Sequence, residues 1–391
     1  MPWGSALDRR SEFVRLVRAG GLSVSELCRR FGVSRSNGYK WLARYAAEGA
    51  AGLEERSRRP HVSAGRSAPE TEARVLAVRR AHPAWGGRKI RRVLERDGVA
   101  APSASTITQI LRRAELLDGP GAGKARDWVR FERPSPNELW QMDFKGHFAL
   151  GEGRCHPLTV LDDHSRYALE IGACGNERTA TVRERLGAVF RRYGLPWRIL
   201  ADNGPPWGGS AGVAGHTPLS VWLLYFGVAV SHGRPYHPQT QGKEERFHRT
   251  LKAEALDGRS FRTLAEAQAA FDAWREVYNT DRPHEALGLL TPSERYRASP
   301  RQMPETIAPP DYETDAAVRT VHDGGWISFR GCKISCPKAF AGRRLALRAT
   351  PTDGVLNLCY RSHVLAQLDL RQNIQQPVLD LPEQPSSISP V

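Results

Sequence analysis

Leu139-Trp140-Gln141-Met142-Asp143-Phe144 is an apolar run with one carboxylate inside it. Trp140, Met142 and Phe144 alternate with Gln141 and Asp143, so a strand here turns three large apolar side chains to one face and Asp143 to the other. β-like runs cover 139–150, 156–162 and 166–173, with a turn at Asp163-His164-Ser165. A helix fits 178–193, where Val182, Leu186, Val189 and Phe190 share a face. A strand ends at Ala201, a helix or turn passes through Trp222-Leu223-Leu224, and the short strand Val228-Ala229-Val230 leads to a loop and a helix beginning near Gly242. Three strands, then helix, strand, helix, strand, helix, is the order of an α/β domain with a mixed sheet. Further helices are expected near 263–280 and 291–298.

Two more acids stand out. Asp202 follows Ile199-Leu200-Ala201 and precedes the turn Asn203-Gly204-Pro205-Pro206; Glu245 lies in Gln239-Thr240-Gln241-Gly242-Lys243-Glu244-Glu245-Arg246-Phe247. Carboxylates are costly near a core unless they are paired or bind a cation. Three that converge could hold a pair of Mg2+ ions, which prefer oxygen ligands. Two such ions about 4 Å apart stabilise both oxygens of a phosphoryl transfer. Singly, Asp143 also reads as the polar face of a strand and Asp202 as a turn former. On the helix from Gly242, Phe247, Leu251 and Ala255 form one stripe that Glu244 shares, while Glu245 lies with His248, Arg249 and Lys252. A metal ligand beside phosphate-binding cations looks like this, and so does a solvated face with a Glu245–Arg249 ion pair. Asp162 and Asp163 are rival acids whose place beside a turn with Arg166 favours a structural role.

Outward from this domain, charge is uneven. Residues 1–134 hold 27 Lys+Arg against 14 Asp+Glu, and residues 135–391 hold 30 against 28, so nearly all of the +15 net charge lies in the first third. A basic module beside a near-neutral one fits a polyanion partner better than solubility alone. The first segment reads as helices: Phe13, Leu16 and Val17 recur at helical spacing, Ser23 or Ser25 caps a second helix, Gly32 ends it, and a third runs from Arg35 to Tyr45. Helix, Gly turn, helix is the helix-turn-helix pattern, whose second helix enters the major groove. Arg35, Ser36, Asn37 and Lys40 open that helix, where base and phosphate contacts are expected, while Trp41, Leu42 and Tyr45 pack inward. An ordinary helical hairpin with a basic face is the alternative.

The expected organisation is a helix-turn-helix domain over 1–53, a linker over 54–67, a second basic helical unit over 68–117 and a linker over 118–136. The α/β domain follows over 137–300, a Pro-rich linker over 301–314, a small β-barrel over 315–370 and a polar, Pro-rich tail over 371–391 expected to be disordered. Cys28, Cys155, Cys174, Cys332, Cys336 and Cys359 are scattered and read as free thiols of a reducing cytosol, in a chain without a signal peptide. No apolar stretch reaches membrane-helix length, so no membrane partner is expected.

Trp140-Gln141-Met142-Asp143, Asp202-Asn203-Gly204 and the long run from Pro235-Tyr236-His237-Pro238 through Lys252 resemble the integrase core of bacterial insertion-sequence transposases and retroviral integrases, the Asp-Asp-Glu enzymes with a ribonuclease H-like fold. The resemblance covers about residues 135–300, and the third motif is its most specific part. It implies that Asp143, Asp202 and Glu245 are catalytic, metal-binding acids, holding two Mg2+ ions with Mn2+ as a substitute. It implies that Arg249 and Lys252, and less securely Lys243 and Arg246, touch the DNA end. Asp202 and Glu245 are 43 positions apart, longer than the retroviral spacing, and the excess fits a Gly-rich stretch at 204–215 that could form a mobile loop. The function implied is a transposase that binds terminal inverted repeats, cuts to expose 3′-hydroxyls and transfers them to target DNA by transesterification. Its partners would be double-stranded DNA, as element ends and target, and further copies of itself in a homodimer or higher oligomer on DNA. Its place would be the cytoplasm, at the bacterial nucleoid. Two readings compete: a DNA-binding regulator or decayed transposase without catalysis, and a ribonuclease H-like nuclease that cuts without joining.

Overall fold

The computed structural model describes residues 5–56, 66–117, 132–208, 215–232 and 242–371, with the backbone of 374–377. The chain divides into two compact units, residues 1–66 and 67–391. In the first, α1 (Ala6–Ala19), α2 (Val24–Phe31) and α3 (Arg35–Glu48) pack around Phe13, Val14, Leu27, Cys28 and Trp41. Local chemistry sets the breaks: Ser23 and Ser34 cap α2 and α3 by accepting from backbone N–H groups. Gly32 ends α2 in the left-handed conformation, a turn that glycine adopts without strain. Gly38 lets α3 lie against α2, since a Cβ there would meet Cys28 Sγ at 2.6 Å.

In the second unit, α4 (Pro69–Ala81), α5 (Gly87–Arg96) and α6 (Ala104–Arg113) enclose Val75, Trp85, Ile90, Leu94, Ile107 and Leu111. The α/β domain follows. β1 (Trp140–Phe144), β2 (Phe148–Ala149), β3 (Arg154–Asp162), β4 (Ala168–Cys174), β5 (Arg198–Ala201) and β6 (Ala229–His232) form a mixed sheet in the order β2-β3-β1-β5-β6, with β4 on β3. β1 is antiparallel to β3 and parallel to β5, which is parallel to β6. One face buries Trp140, Met142, Leu158 and Val160 against α7 (Thr179–Tyr193) and α8 (Pro218–Tyr225). The other buries Leu161, Ala168 and Ile171 against α9 (Gly242–Leu251) and α10 (Leu264–Glu276). The short α11 (Pro292–Arg295) closes the domain with a capping box from Thr291.

Two expected linkers are partly docked. Glu132 pairs with Arg166 and Arg295, and the Arg133 N–H donates to Asp163 at 2.8 Å. The Arg301 guanidinium donates to the carbonyls of Pro196 and Gly227 and stacks over Trp197 at 4.1 Å. Proline and charge mark such segments as linkers in sequence, but one arginine with several carbonyls in reach ties the backbone down.

The expected small C-terminal barrel is not closed among the described residues. β7 (Ala317–Thr320), β10 (Arg344–Ala349), β11 (Val355–Tyr360), β12 (His363–Asp369) and β13 (Ile374–Pro377) form an open sheet in the order β13-β12-β11-β10-β7. The hairpin of β8 (Trp326–Phe329) and β9 (Cys332–Ser335) stands separately. The physical reason is cover: Val221 and Leu224 of α8, with Ile327 and Phe340, pack on Leu345, Leu347, Leu358 and Leu368, so the apolar face is buried without the strands curling round. β13 falls within the tail expected to be disordered.

The expected mobile loop at 204–215 lies in part outside the described residues, and residues 235–241 of the third motif lie wholly outside them. Among the described residues, no helix is long and apolar enough to cross a membrane, and the six cysteines are free.

Candidate active site

β1 and β5 run side by side, with Trp140 level with Ile199 and Gln141 with Leu200. Two residues further along that register, Asp143 comes level with Asp202, the residue after β5. Both acids therefore emerge where adjacent parallel strands end, the side of an open α/β sheet on which ligands bind. Trp140 and Met142 are drawn into one core layer, which turns Gln141 and Asp143 towards α9. Asp202 is held in a tight turn: its side chain accepts from the Gly204 N–H at 3.1 Å, and its carbonyl accepts from His232 Nδ1–H at 2.8 Å. Trp207, buried beyond that turn, stacks on Phe144 at 5.4 Å.

Burial pushes the Asp143 carboxyl up to about 6, with the Asp202 charge acting in the same direction. Burial also raises Asp202, against the hydrogen bond from Gly204 and the field of His232. Glu177 adds negative potential to both. Two crowded carboxylates resist joint ionisation unless a cation lies between them.

α9 supplies the third side. Phe247, Leu251 and, beyond the helix, Ala255 are buried as the stripe predicts, and Glu244 is buried with them. Glu244 Oε2 accepts from Thr159 Oγ1 at 3.2 Å and lies 3.6 Å from His248 Nε2. His248 Nδ1 is 3.9 Å from Asp143 Oδ2. Glu245, Arg246 and Arg249 are exposed on the outer face, as is Lys252 in the π-helical turn Lys252–Leu256. Lys243 turns away from that face and pairs with the buried Asp163, which also accepts from Gln141 Nε2 at 2.7 Å. Asp162 accepts from the Asn137 and Ser165 N–H groups and the Ser165 hydroxyl, so both rival acids hold turns together.

The structure thus brings Asp143 and Asp202 together and leaves Glu245 on the open face of α9, with Glu244 as the carboxylate beside Asp143. Among the described residues, no group of three or more His, Cys, Asp or Glu side chains is arranged to hold a metal ion. The aspartate pair still fits a hard dication, because its donors are oxygens and both are pushed towards their neutral form, a cost that a bound cation relieves. Glu244 and His248 are neighbours of Asp143 that the spacing alone does not reveal; the signal was a carboxylate on an otherwise apolar stripe. In the first unit, Arg35, Ser36, Asn37 and Lys40 are exposed at the start of α3, and Tyr39 beside them is 57% exposed.

Two integrase core domain models match residues 133–238 and 226–292. A helix-turn-helix domain model matches 9–61, a homeodomain-like domain model 37–111, and the C-terminal domain of IS481 family transposases 316–376. The insertion element IS407 uncharacterized 31.7 kDa protein of Burkholderia multivorans is 31% identical over 58% of this chain and 82% of its own length. The insertion element IS476 uncharacterized 39.2 kDa protein of Xanthomonas euvesicatoria is 27% identical over 57% of this chain and 63% of its own. Among solved structures, the catalytic core domain of BIV integrase is 25% identical, with 40% of this chain and 92% of that chain covered at a TM-score of 0.31. The chain belongs to the bacterial insertion-sequence transposases with an integrase core, polynucleotidyl transferases of the Asp-Asp-Glu superfamily.

Proposed function

We propose that this protein binds the terminal inverted repeats of its element, cuts them to expose 3′-hydroxyls and transfers those to target DNA by metal-dependent transesterification. The observation that carries the reading is the placement of Asp143 and Asp202 at the ends of neighbouring parallel strands, beside a helix whose outer face carries Glu245, Arg246 and Arg249. Asp143, Asp202 and Glu245 would hold two Mg2+ ions, or Mn2+ in their place, which when bound supply the positive charge that lowers the barrier at the attacking and leaving oxygens.

The protein's own part is positioning. Asp143 stands on β1 and Asp202 in the turn that directly follows β5, so the sheet and that turn hold the two carboxylates in place. Arg246, Arg249 and Lys252 would grip phosphates of the DNA end, and Lys243 would contribute from the start of α9 where its pairing with Asp163 permits. In cutting, a water oxygen attacks phosphorus and the 3′-oxygen leaves; in joining, that 3′-hydroxyl oxygen attacks a target phosphorus and displaces a second 3′-oxygen. Neither step needs a Ser, Tyr or Cys nucleophile or a covalent enzyme intermediate. Arg35, Ser36, Asn37 and Lys40 would read the repeats from α3, and the helices α4–α6 would extend the grip. Joining two ends calls for at least a dimer on DNA.

The test is a metal-dependent reaction with short DNA ends. Joined products support transposition, cut products alone support a nuclease, and bound, uncut DNA supports a regulator. D143N, D202N and E245Q should each abolish chemistry and leave binding largely intact; full activity in any one removes that residue from the site.

A further inference from the structure

We propose that Glu244 is a positioning residue of this active site, holding His248 against Asp143 by way of Thr159. The proposal rests on the reading of Asp143 as a metal ligand. Glu244 is 3% exposed, and its Oε1 has no hydrogen-bond partner. A buried carboxyl with an open acceptor is a liability that an apolar residue, completing the Phe247–Leu251–Ala255 stripe, would remove. Stability does not explain a glutamate here, so its contacts must.

Those contacts run in one direction. Thr159 stands opposite Asp143 in the β1–β3 ladder, with Oγ1 3.1 Å from the Asp143 carbonyl. The same Oγ1 lies 3.2 Å from Glu244 Oε2 and 2.8 Å from His248 Nε2. His248, one turn beyond Glu244 on α9, is therefore held at Nε2 by the threonine and flanked by the glutamate at 3.6 Å. That hold aims its other nitrogen at Asp143 Oδ2, 3.9 Å away. At that distance the imidazole crowds the Asp143 carboxylate without a hydrogen bond, and a carboxylate with less room to turn loses less freedom when it takes up a cation. Glu245, the next residue, is exposed, whereas Glu244 is buried against Thr159, so the two consecutive glutamates on α9 stand in different surroundings.

The experiment uses the full chain without DNA and follows Mn2+ binding through the electron paramagnetic signal of the free ion, beside thermal melting. E244L is expected to fold and to raise the Mn2+ dissociation constant about tenfold, the scale seen when a residue supporting a metal ligand is lost. E244Q keeps the polar contact and is expected to stay much closer to the parent. T159V removes the hydroxyl while keeping the shape and should reproduce the E244L rise; it carries the test if E244L does not fold. Parental Mn2+ affinity in both E244L and T159V overturns the proposal. So does an E244Q loss as large as that of E244L, which would make Glu244 a ligand itself. D143N isolates the underlying reading: if it binds Mn2+ as the parent does, Asp143 is not a ligand, whatever the Glu244 variants show.

Discussion

Asp143 joins the proposed chemistry of the site to the stability of the fold. Its carboxyl sits at about 6, above an ordinary aspartate, chiefly through burial and then through the Asp202 charge. A carboxyl raised in the folded state adds stability while it is protonated, and that contribution is lost as pH rises through the folded value. Without metal, the fold should therefore be less stable above pH 6 than below it as far as this group is concerned. Metal and proton compete for the same oxygens. Added Mg2+ should raise the melting temperature clearly at about pH 7.5 and less at about pH 5, and D143N should raise the metal-free melting temperature more at the higher pH than at the lower, where only part of the cost of burying the charge has been met. Scanning fluorimetry of parent and variant at both pH values decides it, and an equal Mg2+ effect at both would contradict the assignment. At this scale the sequence was informative wherever period and register were enough. Alternation in 139–144 turned Asp143 from the apolar face, and the stripe on α9 separated Glu244 from Glu245. It was silent on the pairing of Lys243 with Asp163, which depends on residues 80 positions apart meeting across the fold.

Helices and strands were legible because their ends carry local chemistry: Ser23, Ser34 and Ser103 cap α2, α3 and α6, and Gly32 ends α2. The open C-terminal sheet was not, since hairpin signals fix strand pairs but say nothing of what covers their apolar face, here α8 from the α/β domain. Nor was the junction behind α9, where Glu254 accepts from Arg282 Nε at 3.0 Å and from Trp274 Nε1 at 3.1 Å, with both charged side chains about nine-tenths buried. This ties the turn after α9 to α10 and to the segment beyond it. Breaking a buried pair strands the surviving charge, so E254A should cost about 3 kcal/mol, and E254M with R282M should cost less than E254A alone. Urea unfolding midpoints measure both, and an E254A loss below about 1 kcal/mol would mean that water reaches Arg282.

At the scale of the whole molecule, nearly all the excess positive charge lies in residues 1–134, which contain α1 to α6. The charge asymmetry is legible in composition, but how far each basic residue reads sequence or merely grips backbone is not, because a guanidinium or ammonium serves either purpose. Binding to DNA ends should weaken steeply with salt, as phosphate contacts release counterions. Within that total, K40A and R35A separate two roles. If Lys40 meets a phosphate, K40A should weaken binding to every duplex alike and reduce the salt slope by about 1. If Arg35 meets a base edge, R35A should cost about 1–3 kcal/mol on the element's own end and much less on unrelated DNA. Fluorescence anisotropy across a salt series, with the end sequence and a scrambled duplex, distinguishes these outcomes. Both substitutions lie on exposed positions of α3, so a lost contact is read without a lost fold. Unchanged affinity in both would move recognition of the ends from α3 to the basic helices α4–α6, and with it the place where the element's sequence is read.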